Sequence, residues 1–438
     1  MEQPGVRVMK PCRNQAEWRS SDLDSLLAAG HPARIVWAFV EGLDLAPLYA
    51  EIKAVGDRPG RPSIDPAILM ALWLCATLEG VGSARALERL CGEHDVYRWI
   101  CGGVGVNYHT LSDFRWQHLD LLDRLLTESV AALLMSGGVT LNRVAQDGVR
   151  VRASAGSASF RRRKRLTEFL QVADEQVRLL RQELEQDPAA SSRRQQAARE
   201  RAARERQQRV SHALKEMEQI EAQRRDKDEK GHTRKSPPEP GSKPDRRPEP
   251  RASTSDPEAR VMKGADGGYR PSYNVQFSTD TASQVIVGVA VTNKGDDWDQ
   301  LPPMTRQLQE RYQRCPPETL VDGGYPKFDA VETAAALGST VFAPVPKLKN
   351  AKHDPYVPRA GDSAAIAAWR MRMGTEQAKA IYKQRAATAE CVNAQARNRG
   401  LRQFLVRGMD KVRAVVLWHA LAHNLMRAAR PLAAPAAA

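Results

Sequence analysis

The first part of the chain has apolar residues at helical spacing, in segments that begin at capping residues. Residues 20–136 contain three such segments, which start at Ser63, Ser83 and Thr110. Ser and Thr accept hydrogen bonds from the free N–H groups of a first helical turn, and Thr110 is followed three residues later by an acid, as in a capping box. The pattern predicts helices throughout this part, the third over residues 111–135.

The pattern changes to short β-rich runs after the helical part. Residues 139–153 are predicted as a strand with a brief polar interruption, and residues 273–280 and 284–292 as a hairpin, since only three residues separate them. Helices are predicted over residues 299–312 and 328–337, before and after the short strand TLVDGG, and the strand STVFAPV follows. Three early strands, a helix, and then alternating strand and helix predict an α/β domain with a mixed sheet.

A charged segment interrupts this α/β pattern. Residues 161–232 are mostly charged or Ala, with two apolar stripes at spacings of three and four, on either side of Asp187-Pro188. Such stripes predict a helical hairpin, coiled against itself, and the proline should break the helix between them. Residues 233–256 are rich in Pro, Ser and charge, which predicts a disordered linker.

The 438 residues allow two or three domains. The predicted parts are an all-helical N-terminal domain (1–136), an α/β domain in two segments (137–160 and 257–430), the hairpin insertion (161–232), the linker (233–256) and a tail (431–438).

The composition favours a polyanionic partner. Lys and Arg number 66 against 52 Asp and Glu, a net charge of +14. Such an excess favours nucleic acid over a membrane surface. The N-terminus has no apolar stretch suited to a signal peptide, and the longest apolar run, residues 67–78, is shorter than the roughly 20 residues of a spanning helix. We therefore expect a cytoplasmic protein with no membrane partner.

The six cysteines are scattered and form no CxxC pair. Zinc fingers and ribbons therefore have no support in the sequence. Cys75 and Cys91 lie among apolar residues of predicted helices, and we interpret them as core thiols of a reducing compartment.

Three acidic residues are candidates for chemistry. Asp147 follows a predicted strand and precedes Gly148, Asp322 follows a second strand, and Glu390 lies in a helical segment. Carboxylates beyond strand ends are accessible to ligands, and two Asp and a Glu suit Mg²⁺, which prefers oxygen donors. The alternative for each Asp is an ordinary turn.

The segment around Glu390 adds cationic and aromatic residues. Arg397 lies seven residues after Glu390 and shares its face, and Tyr382 and Arg385 share a face through their spacing of three. A carboxylate for metal beside guanidinium groups for phosphate is a workable phosphodiester site. The alternative is a solvated helix with ion pairs.

These residues carry a resemblance to a known family. The chain resembles the DDE transposases of bacterial insertion sequences, which have a ribonuclease-H-like catalytic domain. The motifs GRPSIDP, SARALERLC and HTLSDFR are similar to the N-terminal helical domain of that family. The motifs AQDGVRVRAS, GGYRPSYNVQFSTD, LVDGGY and YKQRAATAE are similar to its catalytic blocks and occur in the same order. Together they cover nearly the whole chain.

The resemblance implies a set of site residues. Asp147, Asp322 and Glu390 would be the catalytic acids and the ligands of two Mg²⁺ ions, for which Mn²⁺ could substitute. Tyr382, Arg385, Glu390 and Arg397 would correspond to the Tyr-Arg-Glu-Lys signature of the family. Two departures stand out: the last position is Arg, and four residues separate Arg385 from Glu390 where three are usual.

The resemblance also implies an activity. The expected reaction is two-metal phosphoryl transfer on double-stranded DNA, with cleavage at the ends of the element and strand transfer into a target. The resemblance also implies that copies of this chain form a homo-oligomer in the synaptic complex. Two alternatives stay open: a DNA-binding interaction protein that has lost activity, and a nuclease of the same fold that only hydrolyses DNA.

Several basic residues are candidates for DNA contacts. Arg161, Arg162 and Arg163 open a run that could bind phosphates without reading sequence, and a solvated charge run is the alternative. Arg115 lies in a pair of helices that could form a helix-turn-helix-like unit for the terminal repeats, and a plain helical core is the alternative.

Two further features have competing interpretations. Trp298 could stack on an unpaired base or pack at the start of a helix. His419 and His423 have a spacing of four that suits a metal, but they lie in an apolar stripe, which favours a core position.

Overall fold

The computed structural model describes residues 22–54, 62–186, 192–232, 249–346 and 354–429. The expected helix break at Asp187-Pro188, most of the linker, the tail and the first residues of the chain lie outside the described residues.

The chain before the first strand is helical in the described ranges, as predicted. The helices are α1 Pro32–Glu41, α2 Ala46–Ala50, α3 Pro66–Leu78, α4 Ala84–Glu93, α5 Asp95–Cys101, α6 Tyr108–Gln117 and α7 Leu119–Met135.

Side chains cap these helices at two positions that the sequence pattern missed. Ser83 caps α4 as predicted, but Asp65 rather than Ser63 caps α3, because its carboxylate accepts from the backbone of Ala67 at 2.8 Å. Thr110 is not a cap. Asn107 caps α6 instead and accepts from the backbone N–H of Thr110 at 3.0 Å, so this helix begins three residues earlier than expected.

Eight strands follow in the described ranges. They are β1 Arg143–Arg152, β2 Phe160–Arg161, β3 Ala252–Ser253, β4 Arg260–Lys263, β5 Tyr269–Asp280, β6 Ile286–Thr292, β7 Glu318–Leu320 and β8 Thr340–Phe342. The large sheet has the order β4-β5-β1-β7-β8, and β6 also pairs with β5. β5 is antiparallel to β1 and β6, whereas β7 and β8 are parallel to β1, so the predicted hairpin and mixed sheet are confirmed.

Helices cover the sheet and extend from it. They are α8 Arg163–Gln186, α9 Arg193–His232, α10 Leu301–Tyr312, α11 Phe328–Ala336, α12 Ala364–Gly374, α13 Glu376–Arg385, α14 Cys391–Asn398 and α15 Met409–Ala428. A π-helical turn, Ala386–Glu390, joins α13 to α14.

The N-terminal helices and the sheet share one hydrophobic core. Helix α15 is buried along most of its length and lies between them. The Trp418 indole donates to the Arg115 carbonyl at 2.9 Å, and the Asn424 amide pairs with both backbone groups of Ile286 in β6. The boundary expected at residue 136 therefore separates helical from mixed structure, but it does not separate two cores.

A second core lies under β7 and β8. It contains Leu320, Tyr325, Trp369 and Ala389, which bring helices α11 to α13 and the π-helical turn against this end of the sheet. Because Ala389 directly precedes Glu390, this core also fixes the position of the candidate acid on the turn.

The charged insertion is a pair of antiparallel helices, α8 and α9, joined to the sheet at its base. Leu166, Ala213, Met217 and Ala252 form a small separate core there. The predicted linker extends too far, because Ala252–Ser253 form β3 and pair with β2. The sequence composition missed this strand, since two residues are too few to give an alternating pattern.

We expect the outer part of the hairpin to be dispensable for folding. Gln207 donates to Asp174 across the two helices at 2.8 Å, so a short glycine linker can replace residues 175–206 between these points. The base core stays intact, and the free energy of unfolding should change by less than about 1 kcal/mol, because loop length affects stability weakly. Urea unfolding of the shortened protein measures this. Loss of the cooperative transition would show that the outer hairpin supports the fold.

Two further findings concern the apolar helices and the thiols. No helix among them is long and apolar enough to cross a membrane. Cys75 is a buried free thiol, as interpreted from the sequence, and Cys91 is a free thiol that is only half-buried.

Candidate active site

Asp147 and Asp322 lie at the same level of the sheet. β1 and β7 run parallel, and their last paired residues are Ala145 and Leu320. Each Asp comes two residues after that pair, and residues two apart on a strand share a face. The short strand β7 therefore ends two residues before the level of the two aspartates. It does not pair with β1 beside Asp147.

Asp147 is not at a strand end, which corrects the interpretation from the sequence. β1 continues through Gly148 to Arg152 and stays paired with β5 along this length. The turn alternative for Asp147 is therefore wrong as well. The polar residues Gln146 and Asp147 hid the continuity of the strand because they interrupt its apolar pattern.

The Asp147 carboxylate is largely removed from water. Its side chain is 16% exposed. Burial raises the pKa of Asp147 above its ordinary value; Arg385 opposes this rise, and the nearby carboxylate of Asp322 adds to it. A partly buried carboxylate held near others is suited to binding a cation.

Asp322 is more accessible and is held by its own turn. Its side chain is 38% exposed, and Oδ1 accepts from the backbone N–H of Gly324 at 2.7 Å. This Asx-type bond fixes the carboxylate just beyond β7. Oδ2 faces Arg385.

Arg385, the last residue of α13, lies between the two aspartates. Its Nη2 is 3.9 Å from Asp147 Oδ1 and 3.7 Å from Asp322 Oδ2. Both distances exceed a direct hydrogen bond, so the guanidinium acts mainly through its charge. Because one nitrogen is this close to both, the two carboxylate oxygens are at most about 8 Å apart.

The π-helical turn accounts for the unusual spacing of Arg385 and Glu390. A π-helix has i→i+5 hydrogen bonds, so it accommodates one extra residue within a helix. Two residues that are five apart in sequence across this turn are therefore oriented like two residues four apart in an α-helix. Glu390 ends the turn and lies within electrostatic reach of Arg385. The extra residue thus leaves both side chains on one side of the helix.

The other two residues of the implied signature flank this group. Tyr382 lies one turn before Arg385, is half-buried against the second core, and has its pKa raised by burial. Arg397 lies near the end of α14 and is exposed.

Sequence reasoning missed Asn393. Its amide nitrogen donates to Asp147 Oδ2 at 3.0 Å, and the residue is 2% exposed. The available signal was its position three residues after Glu390, which places both on one helical face. A single Asn gives no sequence pattern by which to recognise it.

A buried polar network on the opposite face of β1 was also missed. Asp297 accepts from Asn274 and Gln276 of β5, each at 2.7 Å, and from Arg150 at 2.8 Å. The Tyr325 hydroxyl donates to the side-chain oxygen Oε1 of Gln276. These groups lie directly behind Asp147, so they fix the backbone that carries it.

Two segments of the chain, one near each end, match known protein families. Residues 21–117 match the family described as Transposase domain (DUF772), and residues 358–429 match the family described as Transposase DDE domain. These two matches support a DDE transposase of insertion-sequence type. The resemblance drawn from the sequence motifs is confirmed. No curated protein and no solved structure matches this transposase.

The DDE transposases use divalent metal, and the residues present fit such an ion. Asp147, Asp322 and Glu390 provide carboxylate oxygen donors, and the two aspartates already lie near one cation, the Arg385 guanidinium. Hard cations such as Mg²⁺ bind donors of this kind. The three acids do not form a tight cluster, since no set of one oxygen from each lies within 4.8 Å of one another.

A second group of potential metal ligands lies at the base of the hairpin. Ligand atoms of His212, Glu216 and Glu258 lie within 4.8 Å of one another. Glu216 is paired with Arg260, and Glu258 accepts from the backbone N–H of Met409 at 2.8 Å. Since protein groups already satisfy both carboxylates, we assign this group to joining α9 to the sheet.

The basic residues proposed for DNA contacts have partners within the transposase. The Arg115 guanidinium lies 4.5 Å above the Trp73 ring and donates to the Gly82 carbonyl at 2.7 Å, which favours the helical-core alternative. The residues of the charged run also have contacts: Arg161 with the Phe160 carbonyl, Arg162 with Glu249, and Arg163 with Glu221. Phosphate binding by these residues stays a prediction.

The structure also distinguishes between the competing interpretations of the two histidines and of Trp298. His419 and His423 are buried, which confirms the core interpretation; burial lowers the pKa of His419 to about 3. Trp298 is 54% exposed and lies under the Lys327 ammonium at 5.3 Å, so packing at a helix start is wrong for it. Base stacking by Trp298 stays a prediction.

The raised pKa of Asp147 predicts a pH-dependent stability cost. Between the ordinary value of 3.8 and the raised value, the folded state binds more protons than the unfolded state. The contribution of Asp147 to the free energy of unfolding of the metal-free protein should therefore fall as the pH rises from about 4. Asp147→Asn cannot ionise, so its stability relative to the wild type should be greater at pH 7 than at pH 4. Urea titrations at both pH values check this, and Asp120→Asn, at an exposed site, should show no such difference.

Proposed function

We propose that this transposase binds the ends of an insertion sequence, cleaves the DNA there and joins the ends to a target. The single observation that carries the proposal is the juxtaposition of Asp147 and Asp322 around Arg385, with Glu390 on the adjoining helical turn. These residues are distant in sequence, and their proximity supports a site of oxygen donors for divalent metal.

The sheet supports a ribonuclease-H-like fold for the catalytic part. Three antiparallel strands, β1, β5 and β6, precede helix α10, and the two parallel strands β7 and β8 follow it. This is the succession that the resemblance implies. The candidate acids lie on the central strand, beyond the next strand and on the helix that covers them.

The proposed roles follow from the chemistry of each side chain. Asp147, Asp322 and Glu390 would hold two Mg²⁺ ions, or Mn²⁺ as a substitute. Bound there, these ions would supply activation of water or a 3′-hydroxyl and stabilisation of the leaving oxygen. Arg385, with Tyr382 beside it, would orient a backbone phosphate, since a guanidinium can donate two hydrogen bonds to phosphate oxygens.

The positive charges around the candidate acids support a phosphodiester substrate. Arg397 is exposed near the end of α14 and would contact a second phosphate along the strand. The net charge of +14 favours association with double-stranded DNA, including both element ends and target. A homo-oligomer would bring two ends together in the synaptic complex.

The deciding experiment is incubation with DNA that carries the flanking terminal repeats, with Mg²⁺ and with EDTA, followed by mapping of cut and joined strands. Cut and joined products that require Mg²⁺ are the expected result. Cut strands without joining would instead indicate a hydrolytic nuclease. Binding of the DNA without cleavage would indicate an interaction protein derived from a transposase.

A further inference from the structure

Asn393 is a buried polar residue to which the proposed chemistry gives no role. It lies in the first turn of α14, three residues after Glu390, and only 2% of it is exposed. Its Nδ2 donates to Asp147 Oδ2 at 3.0 Å. This bond directly connects the helix that carries one candidate acid with the strand that carries another.

Packing does not account for an asparagine at this position. Its Oδ1 is buried and has no hydrogen-bond partner in the described part of the chain. Burying an amide oxygen without a partner costs free energy, whereas a leucine of similar size would carry no such cost. The polar side chain is therefore explained by the one contact that it does make.

The contact fixes one oxygen of Asp147. A carboxylate only accepts hydrogen bonds, so the NH₂ end of Asn393 must face it. The other oxygen, Oδ1, faces the Arg385 guanidinium at 3.9 Å. A neutral donor on one side and a charge on the other hold the carboxylate in a single orientation.

The neutrality of the Asn393 amide matters for a cation site. Arg385 already supplies one positive charge between Asp147 and Asp322. A second cation at position 393 would compete with a metal ion for the same carboxylate, whereas an amide orients it without neutralising it.

We propose that Asn393 is a positioning residue that orients the Asp147 carboxylate for divalent metal. The inference rests on the proposed function. It assigns to Asn393 a role in metal affinity rather than direct contact with DNA or with the reacting phosphate.

The test is Asn393→Leu in the full chain, with two readouts. The Mg²⁺ concentration for half-maximal cleavage of terminal-repeat DNA should rise about 10–100-fold, as is typical when a residue that orients a metal ligand is removed. High Mg²⁺ should restore the cleavage rate. Mn²⁺ binding to the DNA-free protein, measured by calorimetry, should weaken by a similar factor. The melting temperature should stay the same or rise, since an unsatisfied amide oxygen is removed.

Asn424→Leu is the matched control. Asn424 is a buried asparagine whose amide is satisfied at both ends by Ile286, each bond 2.8 Å long. Its replacement should lower the melting temperature but leave the Mg²⁺ requirement unchanged. Asn393→Leu should thus weaken metal binding without loss of stability, whereas Asn424→Leu should lower the stability without a change in the Mg²⁺ requirement.

Failure of the inference can be told apart from failure of the proposed function. A wild-type protein that neither binds Mn²⁺ nor cleaves the DNA would overturn the proposed function. A wild-type protein that does both, beside an Asn393→Leu variant with an unchanged Mg²⁺ requirement, would overturn the role of Asn393. Should the leucine variant not fold, Asn393→Ala, which only removes atoms, should show the same rise in Mg²⁺ requirement.

Discussion

Glu390→Gln should reduce Mg²⁺-dependent cleavage about a thousandfold while the protein stays folded. The substitution keeps the shape of the side chain and removes its charge. Metal and electrostatic contributions to phosphoryl transfer are worth several kcal/mol, and each 1.36 kcal/mol is tenfold in rate. Glu390 is exposed at the end of the π-helical turn, so its loss should change the free energy of unfolding by less than about 1 kcal/mol.

Glu376→Gln is the control for this prediction. Glu376 begins α13, is 90% exposed and pairs only with Lys379 among the described ion pairs. Its replacement removes the same charge from the neighbouring helix and should leave cleavage unchanged. Strand mapping measures cleavage, a gel shift measures binding to the element ends, and urea unfolding measures stability. Full cleavage by Glu390→Gln would remove Glu390 from the active site, and loss of the fold would assign it a structural role.

Gly148→Ala should destabilise the protein by about 3 kcal/mol, at the upper end of the cost of overfilling a packed interior. A Cβ at this position would lie 2.5 Å from Asp297 Oδ1, 2.8 Å from Asn274 Oδ1 and closer still to the Gln276 amide nitrogen. These three groups hydrogen-bond one another, so moving one of them breaks bonds in a buried network. Cleavage should fall as well, because Gly148 follows Asp147 on the same strand.

Gly156→Ala is the matched control for Gly148→Ala. Gly156 lies between β1 and β2 with φ of −85°, and an added Cβ would meet no atom within 4 Å. The backbone therefore accepts alanine, and the stability should change by less than about 0.5 kcal/mol. Urea unfolding of both variants gives the comparison. Equal stability of Gly148→Ala and the wild type would show that the polar network behind Asp147 can rearrange without cost.

The local pattern of the sequence predicted most elements because their signals are local. Ser83 caps α4, and the alternating runs of β5 and β6 form a hairpin. Predictions failed where a competing local signal existed. Asn107 starts α6 ahead of Thr110, since both side chains can cap and only the position of the turn decides between them.

The sequence predicted the three acids, Arg385, Arg397 and Tyr382 of the candidate site, but not Asn393. Asp147, Asp322 and Glu390 were candidates because of their placement along the chain, and the resemblance implied their role. The structure brings the two aspartates together around Arg385. Their catalytic role stays a prediction. Asn393 carries no charge and no motif, so only its contact with Asp147 reveals it.

By itself the sequence determined the order of helices and strands, the basic charge and the family, because periodicity, composition and motifs are properties of neighbouring residues. Tertiary structure alone decided that β7 ends level with Ala145, two residues before Asp147, and that α15 joins the N-terminal helices and the sheet in one core. It also decided that a π-helical turn keeps Arg385 and Glu390 on one side of their helix. These features depend on strand register and on packing between residues far apart in the chain, which no local pattern encodes.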